Sequence, residues 1–260
     1  MAEAARLIRE QGYGLVQPDL LGLPEPPLVL DVEALVEALQ AALLEGDGFR
    51  VHGLVVSRYL AGDESAAICD NLIAPAMERI GELWKDSDEG ILLEHRATDL
   101  CVQALSRLRG ILPRPRRTDP LAIGGAPSGD PYLLPSLMAS VVLAGSGWRV
   151  DNFGPETPLA SLGQCAAGTG AELVWLSFTS YGNAQRVLPE VRELAEGLRR
   201  SGIALIVGGQ AWPRSPHFRT TTTTFGRSMR ELFAFAQGIR LKRNLAEPRS
   251  DDDHASGGTS

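Results

Sequence analysis

The chain has 260 residues, of which 44% are apolar and 22% are charged, a composition typical of a globular protein with a sizeable core. It contains no run of about 18 apolar residues and no secretory signal pattern, so neither a membrane span nor export is expected. The net charge of −7 argues against a dominant nucleic-acid-binding surface. Three widely spaced cysteines do not make a disulfide framework, and the sequence therefore predicts a cytoplasmic protein.

The first part of the chain has the pattern of a helical domain. Residues 1–28 form a lead-in that ends in a proline-rich stretch, and residues 29–113 follow as the predicted domain. Apolar residues recur at helical spacing in four segments, which predicts helices over 31–45, 51–61, 64–84 and 91–111. Asp31 is the expected N-cap of the first helix, and Gly46 marks its expected end. Four helices with short connections predict a four-helix bundle.

The second part of the chain alternates strands with helices. Segment 114–120 is rich in proline and arginine and is expected to be a stiff linker. Predicted strands cover 121–126, 149–153, 172–178, 203–207 and 220–225, and predicted helices cover 133–146, 158–168, 184–201 and 228–243. This alternation predicts an α/β fold class for 121–244, a Rossmann-like (flavodoxin-like) parallel sheet covered on both faces. The charged tail 245–260 is expected to be disordered.

Glycine-rich segments follow two of the predicted strands. Segment 124–130 follows the first strand, and Gly208 and Gly209 follow the fourth. Small residues let a flat ligand approach the backbone, and parallel sheets bind ligands at the carboxyl ends of their strands. The spacing fits neither the dinucleotide fingerprint nor a Walker phosphate loop. On the glycines alone, tight turns without a ligand are an equal alternative.

Three of these elements together resemble the cobalamin-binding domain family. In that family Asp-x-His-x-x-Gly follows the first strand, Ser-x-Leu the third and Gly-Gly the fourth. The matching segments here are 130–135, 177–179 and 208–209. The resemblance implies a tetrapyrrole site lined by Asp130, Tyr132, Ser177, Thr179, Gly208 and Gly209.

The helical half carries a second resemblance. Trp84, followed after nine residues by Glu94 and His95, is similar to the W-x9-E-H signature of light-sensing MerR-type cobalamin repressors. In those proteins the signature covers the upper face of the corrin. The resemblance implies that Trp84 stacks on a macrocycle and that His95 offers a nitrogen ligand or hydrogen bond. The two resemblances together imply a helical bundle followed by a cobalamin-binding-type Rossmann-like domain.

Three residues depart from the family's pattern in one place. Tyr132 stands where the family has the histidine that ligates cobalt from below, and a neutral phenol is a poor metal ligand. Pro135 replaces the motif glycine, and Thr179 replaces the family's leucine. These departures indicate a site shaped for a tetrapyrrole that has lost the lower axial ligand, whereas the upper signature is intact.

The identity of the tetrapyrrole stays open at this point. Cobalamin would bind without a lower protein ligand and with His95 above it. A linear bilin such as biliverdin would need no metal ligand, and Arg96 or Arg186 would hold its propionates. Haem would use His95 or Tyr132 on iron. His95 is therefore a metal ligand only if cobalamin or haem is bound.

These features predict a non-enzymatic, tetrapyrrole-binding photosensory or regulatory module that signals through a protein partner or a homo-oligomer. Residues 1–28 are too few for a helix-turn-helix module, so direct DNA binding is not expected. The alternatives are a corrinoid carrier for a methyltransferase and a ligand-free protein-interaction module. Cys69 and Cys101 are expected to be buried structural thiols, with covalent bilin attachment as a minor alternative.

Overall fold

The computed structural model describes residues 1–12, 31–83, 88–180, 186–211 and 224–246. The helical part of the chain contains six α-helices within these ranges: α1 (Ala2–Gln11), α2 (Val32–Glu45), α3 (Gly48–Leu60), α4 (Ser65–Ile68), α5 (Ala74–Leu83) and α6 (Asp88–Ile111). A π-helical turn, Cys69–Ile73, joins α4 to α5. Across the described residues no helix combines the length and apolarity that a membrane span requires.

The start and end of α2 agree with the sequence prediction. The Asp31 side chain accepts a hydrogen bond from the Ala34 N–H at 2.8 Å, and Gly46 ends the helix in the left-handed conformation. The predicted third helix is interrupted by the π turn, which the apolar periodicity does not reveal. Helix α6 begins at Asp88, three residues before its predicted start.

Helix α1 lies within residues that the sequence pattern assigns to a lead-in. Its buried face is small, because only Ala5 and Ile8 are buried. Arg9 attaches it to the end of α3, donating to the Tyr59 and Gly62 carbonyl oxygens and lying 4.2 Å from the centroid of the Tyr59 ring. Two buried residues make too weak a periodic signal to predict this helix from sequence.

The second part of the chain is a five-stranded parallel sheet of order β2-β1-β3-β4-β5. The strands are β1 (Leu121–Gly125), β2 (Arg149–Asn152), β3 (Leu173–Ser177), β4 (Ala204–Gly208) and β5 (Thr224–Gly226). This is the flavodoxin-like order, so the predicted fold class is confirmed. Residues 220–223 of the predicted last strand lie outside the described residues.

Among the described residues, two pairs of helices cover the sheet. They are α7 (Leu134–Gly145), α8 (Leu159–Thr169), α9 (Leu188–Arg200) and α10 (Met229–Ala246). Buried residues of α7 and α10 share one apolar core with the helical bundle, whereas those of α8 and α9 form a second core on the other face. The bundle therefore packs against one face of the sheet through α7 and α10.

Polar contacts fix the bundle to the sheet at two places. Arg109 of α6 donates to the Val150 carbonyl oxygen of β2 at 2.9 Å. Asp70 of the π turn caps α10 by accepting the Met229 and Arg230 N–H groups, each at 2.9 Å. Because α10 begins just after β5, the second contact places the π turn, and hence the start of α5, at the carboxyl edge of the sheet.

The direction of α6 follows from its contacts with α7. Arg109 donates to the Ser140 hydroxyl in the middle of α7, and Leu112 lies against Gly145 at the end of α7. The two helices therefore run in the same direction, from the carboxyl edge of the sheet towards its amino edge. The amino-terminal half of α6 consequently extends past the carboxyl edge. Together with α5 it forms what we call the α5–α6 hairpin, residues 74–83 and 88–100.

Candidate functional site

The α5–α6 hairpin projects over the carboxyl edge of the sheet. Gln210, just after β4, donates to the Glu78 carboxylate of α5 at 3.5 Å. His95 precedes Arg109 by 14 residues, which is about 21 Å along a helix. The space between the hairpin and the loops that follow the strands is therefore the candidate site. Trp84, the first residue of the W-x9-E-H pattern, lies outside the described residues.

The hairpin exposes apolar side chains beside its polar pair. Leu83 at the end of α5 and Ile91 and Leu92 near the start of α6 are all exposed, Leu92 to 70%. His95 is exposed, whereas Glu94 is half-buried. Adjacent residues on a helix point about 100° apart, so the two side chains of the pair do not share a direction. Of the two, His95 is the more exposed to solvent.

We call the loops at the carboxyl edge of the sheet (126–133, 153–157, 178–180 and 209–211) the lower wall. Its central residue is Asp130, which is fully buried in the loop after β1. Its carboxylate accepts the Thr179 N–H at 2.6 Å and the Ser180 N–H at 3.0 Å, and also the Tyr132 N–H at 3.3 Å. Such charge-assisted bonds are the strong ones. Asp130 therefore holds the loop after β3 against the loop after β1.

The loops after β1 and β2 are joined in the same way. The Glu156 carboxylate accepts the Gly129 N–H at 2.6 Å, and its backbone has a positive φ of 55°. Ala126 donates to the Gly154 carbonyl oxygen, and the Thr157 N–H donates back to the Ala126 carbonyl oxygen, each at 2.8 Å. Three of the loops in the lower wall are thus fixed to one another by hydrogen bonds.

The paired glycines after β4 have a packing role in the structure. Gly209 has a φ of +106°, and a Cβ there would lie 2.1 Å from the Phe178 carbonyl oxygen. A Cβ at Gly208 would lie 2.8 Å from the Gly226 carbonyl oxygen. From the sequence, these glycines are expected to let a flat ligand approach the backbone, with tight turns as an equal alternative on the glycines alone. The contacts show that Gly208 allows β4 to approach β5, and that Gly209 allows the loop after β4 to approach the backbone of Phe178.

The remaining predicted residues of the lower wall differ in exposure. Ser177 is buried at the end of β3, and Thr179 is half-buried. Tyr132 is 45% exposed, and Phe153, which the sequence argument did not select, is 48% exposed in the loop after β2. The lower wall therefore presents two aromatic side chains above a bonded backbone. Exposed aromatic surface of this kind suits contact with a flat apolar ligand.

Other predicted residues have structural partners. Arg96 donates to the Leu44 carbonyl oxygen at 2.5 Å and lies against Gly46, so it helps to close the end of α2. Arg186 lies in the turn before α9. Cys69 and Cys101 are buried, and burial raises the pKa of Cys69 and raises that of Cys101 to about 12. Buried thiols with raised pKa values are poor nucleophiles, which argues against covalent attachment of a chromophore.

Sequence patterns did not point to two polar residues that position the site. Asp70 anchors α10, as described above. Ser136 of α7 is fully buried, donates to Asn152 Oδ1 at 2.8 Å and accepts from Trp175 Nε1 at 3.3 Å. Neither residue belongs to a recognisable motif, because their partners are far away in sequence. Within the described ranges no group of three or more side chains is arranged to hold a metal ion.

Comparison with known proteins agrees with this geometry. Residues 35–109 match the family model described as the B12 binding domain. The chain is 29% identical over 181 residues to the HTH-type transcriptional repressor CarA of Myxococcus xanthus, covering 67% of this chain and 58% of that protein. It is 27% identical over 159 residues to dimethylamine corrinoid protein 2 of Methanosarcina mazei, covering 57% of this chain and 72% of that protein.

A solved structure shows the same fold. The monomethylamine corrinoid protein of Methanosarcina barkeri aligns with a TM-score of 0.59 at 14% sequence identity, covering 80% of this chain and 100% of that one. At this identity the likeness concerns the fold alone. The chain also spans less than two thirds of the length of the Myxococcus repressor.

Proposed function

We propose that this chain, whose residues 35–109 match the B12 binding domain model, is a non-enzymatic corrinoid-binding regulatory module. The observation that carries the proposal is the position of the α5–α6 hairpin over the carboxyl edge of a flavodoxin-like sheet. Parallel sheets bind their ligands at that edge. A corrinoid there would lie between the lower wall and the hairpin.

The lower wall supports binding without a lower protein ligand. The position two residues after Asp130 carries Tyr132, and a neutral phenol is a poor ligand for cobalt. The Asp130 carboxylate is already bonded to Thr179 and Ser180, so it serves the loops and not an imidazole. We assign Tyr132 and Phe153 to apolar contact with the lower face. Ser177, Thr179, Gly208 and Gly209 would line the rest of the pocket.

The upper side would be formed by the hairpin. We assign His95 as the upper ligand or hydrogen-bond donor, and Trp84, Glu94 and the exposed Leu92 as its surroundings. A corrinoid bound there would supply a light-sensitive cobalt centre. Such a change would alter the packing of the hairpin against the lower wall and thereby a surface offered to a protein partner or a second copy.

Absorption spectroscopy tests the proposal directly. The purified full chain is incubated with hydroxocobalamin, adenosylcobalamin, biliverdin or haem, passed through a desalting column, and its visible spectrum is recorded before and after green illumination. We expect a retained cobalamin spectrum that changes with light and a weaker spectrum for the His95→Ala variant. Gln103→Ala, an exposed residue eight positions after His95 in α6, is the control and should match the unmodified chain.

Each other outcome removes part of the proposal. A red-absorbing biliverdin complex with no retained cobalamin would replace the corrinoid by a bilin. Retention of none of the four tetrapyrroles would leave the protein-interaction module. A retained cobalamin that is insensitive to light would remove the photosensory role but keep corrinoid binding.

A second candidate function, a corrinoid carrier for a methyltransferase, is supported by the similarity to the Methanosarcina mazei corrinoid protein. Carriers need a cobalt centre tuned from below, and Tyr132 does not favour that role. Transfer of a methyl group from the loaded chain to a thiol acceptor, in the presence of a methyltransferase, would support the carrier. The absence of direct DNA binding stays a prediction, and a gel-shift measurement with duplex DNA tests it, because one relative is an HTH-type repressor.

A further inference from the structure

The amino edge of the sheet, opposite the candidate site, carries a concentration of positive charge. Arg116, Arg117, Arg149 and Arg243 meet there, and we call them the amino-edge arginine patch. The first two lie in the turn that leads into β1, where the Asp119 carboxylate accepts the Arg116 N–H at 2.5 Å. The chain as a whole has a net charge of −7, so this positively charged patch is opposite in sign to the net charge of the protein.

Hydrogen bonds hold the patch together. Arg149 donates to the Arg117 carbonyl oxygen at 3.4 Å, and Arg243 donates to the Thr118 carbonyl oxygen at 2.9 Å. The turn therefore receives an arginine from the start of β2 and another from the end of α10. Both bonds end on carbonyl oxygens of the turn, so they do not engage the guanidinium groups of Arg116 and Arg117.

The patch has few neighbouring carboxylates. Arg243 forms an ion pair with Glu172 at 3.1 Å. In the described part of the chain no carboxylate lies within 4.0 Å of the guanidinium nitrogens of Arg116, Arg117 or Arg149, and all three residues are exposed. Such a surface favours an acidic partner.

An acidic segment of the same chain begins next to the patch. Helix α10 ends at Ala246, three residues after Arg243. The following residues, 247–260, contain four carboxylates, Glu247 and Asp251–Asp253, against one basic residue, Arg249. Five residues of extended chain span about 17 Å, and Arg243 bonds the turn at Thr118, so the three aspartates can reach that turn from the end of α10.

We propose that the acidic segment Asp251–Asp253 docks onto the amino-edge arginine patch. The arguments are complementary charge and the place where α10 ends. Individual exposed ion pairs are weak and screened by salt, but the covalent link gives the segment a high effective concentration. The docked tail would cover a surface that is otherwise open to anionic partners. The proposal is independent of corrinoid binding, since the patch and the candidate site lie at opposite edges of the sheet.

Paramagnetic relaxation measurements test the contact. A spin label is attached at Ser256→Cys in a chain whose partly exposed Cys165 is replaced by serine; Cys69 and Cys101 are buried. We expect broadening of the backbone amide signals of Arg116, Arg117 and Arg149 at low salt. The broadening should be lost at about 1 M salt, where the Debye length falls to about 3 Å.

Charge variants separate docking from a nonspecific effect. Asp251→Asn/Asp252→Asn/Asp253→Asn and Arg117→Gln/Arg149→Gln should each abolish the broadening. Arg6→Gln/Arg50→Gln removes the same number of positive charges from exposed positions in the bundle and should leave it unchanged. Equal loss in this control would overturn the proposal, as would the absence of broadening in the unmodified chain.

Two further experiments ask whether a second copy of the chain or DNA binds the arginine patch instead of the tail. Mixing spin-labelled unenriched chain with unlabelled ¹⁵N-enriched chain reports contacts between copies, and broadening there would mean that the patch binds a second molecule. Anisotropy of a fluorescent DNA duplex, measured at the same low salt, reports phosphate binding. If the unmodified chain bound the duplex as tightly as the triple asparagine variant, the tail would not cover the patch and the proposal would fail. Tighter binding by the asparagine variant would support it.

Discussion

The lower wall and the α5–α6 hairpin face the same candidate site but are held in different ways. In the lower wall two carboxylates, that of the buried Asp130 and that of the exposed Glu156, bind backbone N–H groups of neighbouring loops. In the hairpin an apolar core holds the helices, and the residues near the site, His95 and Leu92, are exposed. The lower wall is therefore fixed before a ligand arrives.

This difference separates the two tasks of the site. A wall of bonded loops defines the shape and depth of the pocket at little entropic cost on binding. The exposed side chains of the hairpin can change their contacts without breaking a buried hydrogen bond. We therefore expect substitutions in the lower wall to act mainly on folding and those in the hairpin to act mainly on the ligand.

The largest expected effect is that of Asp130→Ala. The substitution removes the acceptor of the Thr179 and Ser180 N–H groups, and leaving such groups unpaired should lower the free energy of unfolding by about 2–4 kcal/mol. Urea denaturation followed by circular dichroism measures this quantity. Asp130→Asn keeps one carbonyl oxygen and should lose about half as much. If the alanine variant were as stable as the unmodified chain, the lower wall would not depend on this carboxylate.

The next effect concerns the glycine between β4 and its loop. Gly209→Ala should lower the free energy of unfolding by about 1–3 kcal/mol, because alanine is strained at a φ of +106° and its Cβ would meet the Phe178 carbonyl oxygen. Gly238 of α10 is the matched control, since a Cβ there meets nothing within 4 Å. Gly238→Ala should raise the free energy of unfolding by about 1 kcal/mol. Similar effects of the two substitutions in urea denaturation would contradict the packing role of Gly209.

A substitution in the hairpin should change the affinity for the ligand more than the free energy of unfolding. His95→Ala removes an exposed side chain and should change the free energy of unfolding by less than about 0.5 kcal/mol. If His95 contacts the corrinoid, its loss should weaken cobalamin binding about ten-fold, equivalent to about 1.4 kcal/mol. A spectroscopic titration measures the affinity, with Gln103→Ala further along α6 as the control. An unchanged affinity would remove His95 from the site and leave the lower wall as the main binding surface.

Sequence reasoning succeeded where the signal is local. Alternating strands and helices predicted the sheet, and Asp31 and Gly46 predicted the bounds of α2, because each depends on residues close in the chain. It did not reveal the role of Asp130, whose partners Thr179 and Ser180 are 49 and 50 residues away. The resemblance of segment 130–135 to the family's Asp-x-His-x-x-Gly motif selected this aspartate as a ligand contact. In the folded chain its carboxylate joins the loop after β1 to the loop after β3.

Two omissions have the same origin. The π turn around Asp70 adds a residue to one helical turn without changing the average apolar pattern. The apolar periodicity therefore predicts one continuous helix there. Helix α1 depends on Arg9 meeting carbonyl oxygens at the end of α3, 50 residues later. The π turn and helix α1 both make contacts that hold the bundle in position. Because those contacts join residues far apart in the chain, no local sequence pattern predicts them.

The smallest expected effect concerns a buried polar atom in the helical bundle. In the lower wall the buried Asp130 carboxylate is hydrogen-bonded, whereas this atom in the bundle is not. His52 Nε2 in α3 is buried without a hydrogen-bond partner among the described residues. Desolvation, and to a lesser extent the nearby charge of Arg107, lowers the pKa of His52 below its usual value of 6.5. Between these two pKa values the unfolded chain holds a proton that the folded chain does not, so stability falls as the pH drops through 6.5 and levels off below the folded pKa. Urea midpoints measured at about pH 7.5 and about pH 5.5 should therefore fall further for the unmodified chain than for His52→Gln. An equal fall in both proteins would mean that the bundle accepts the protonated imidazole, and that its buried polar groups are less constrained than those of the lower wall.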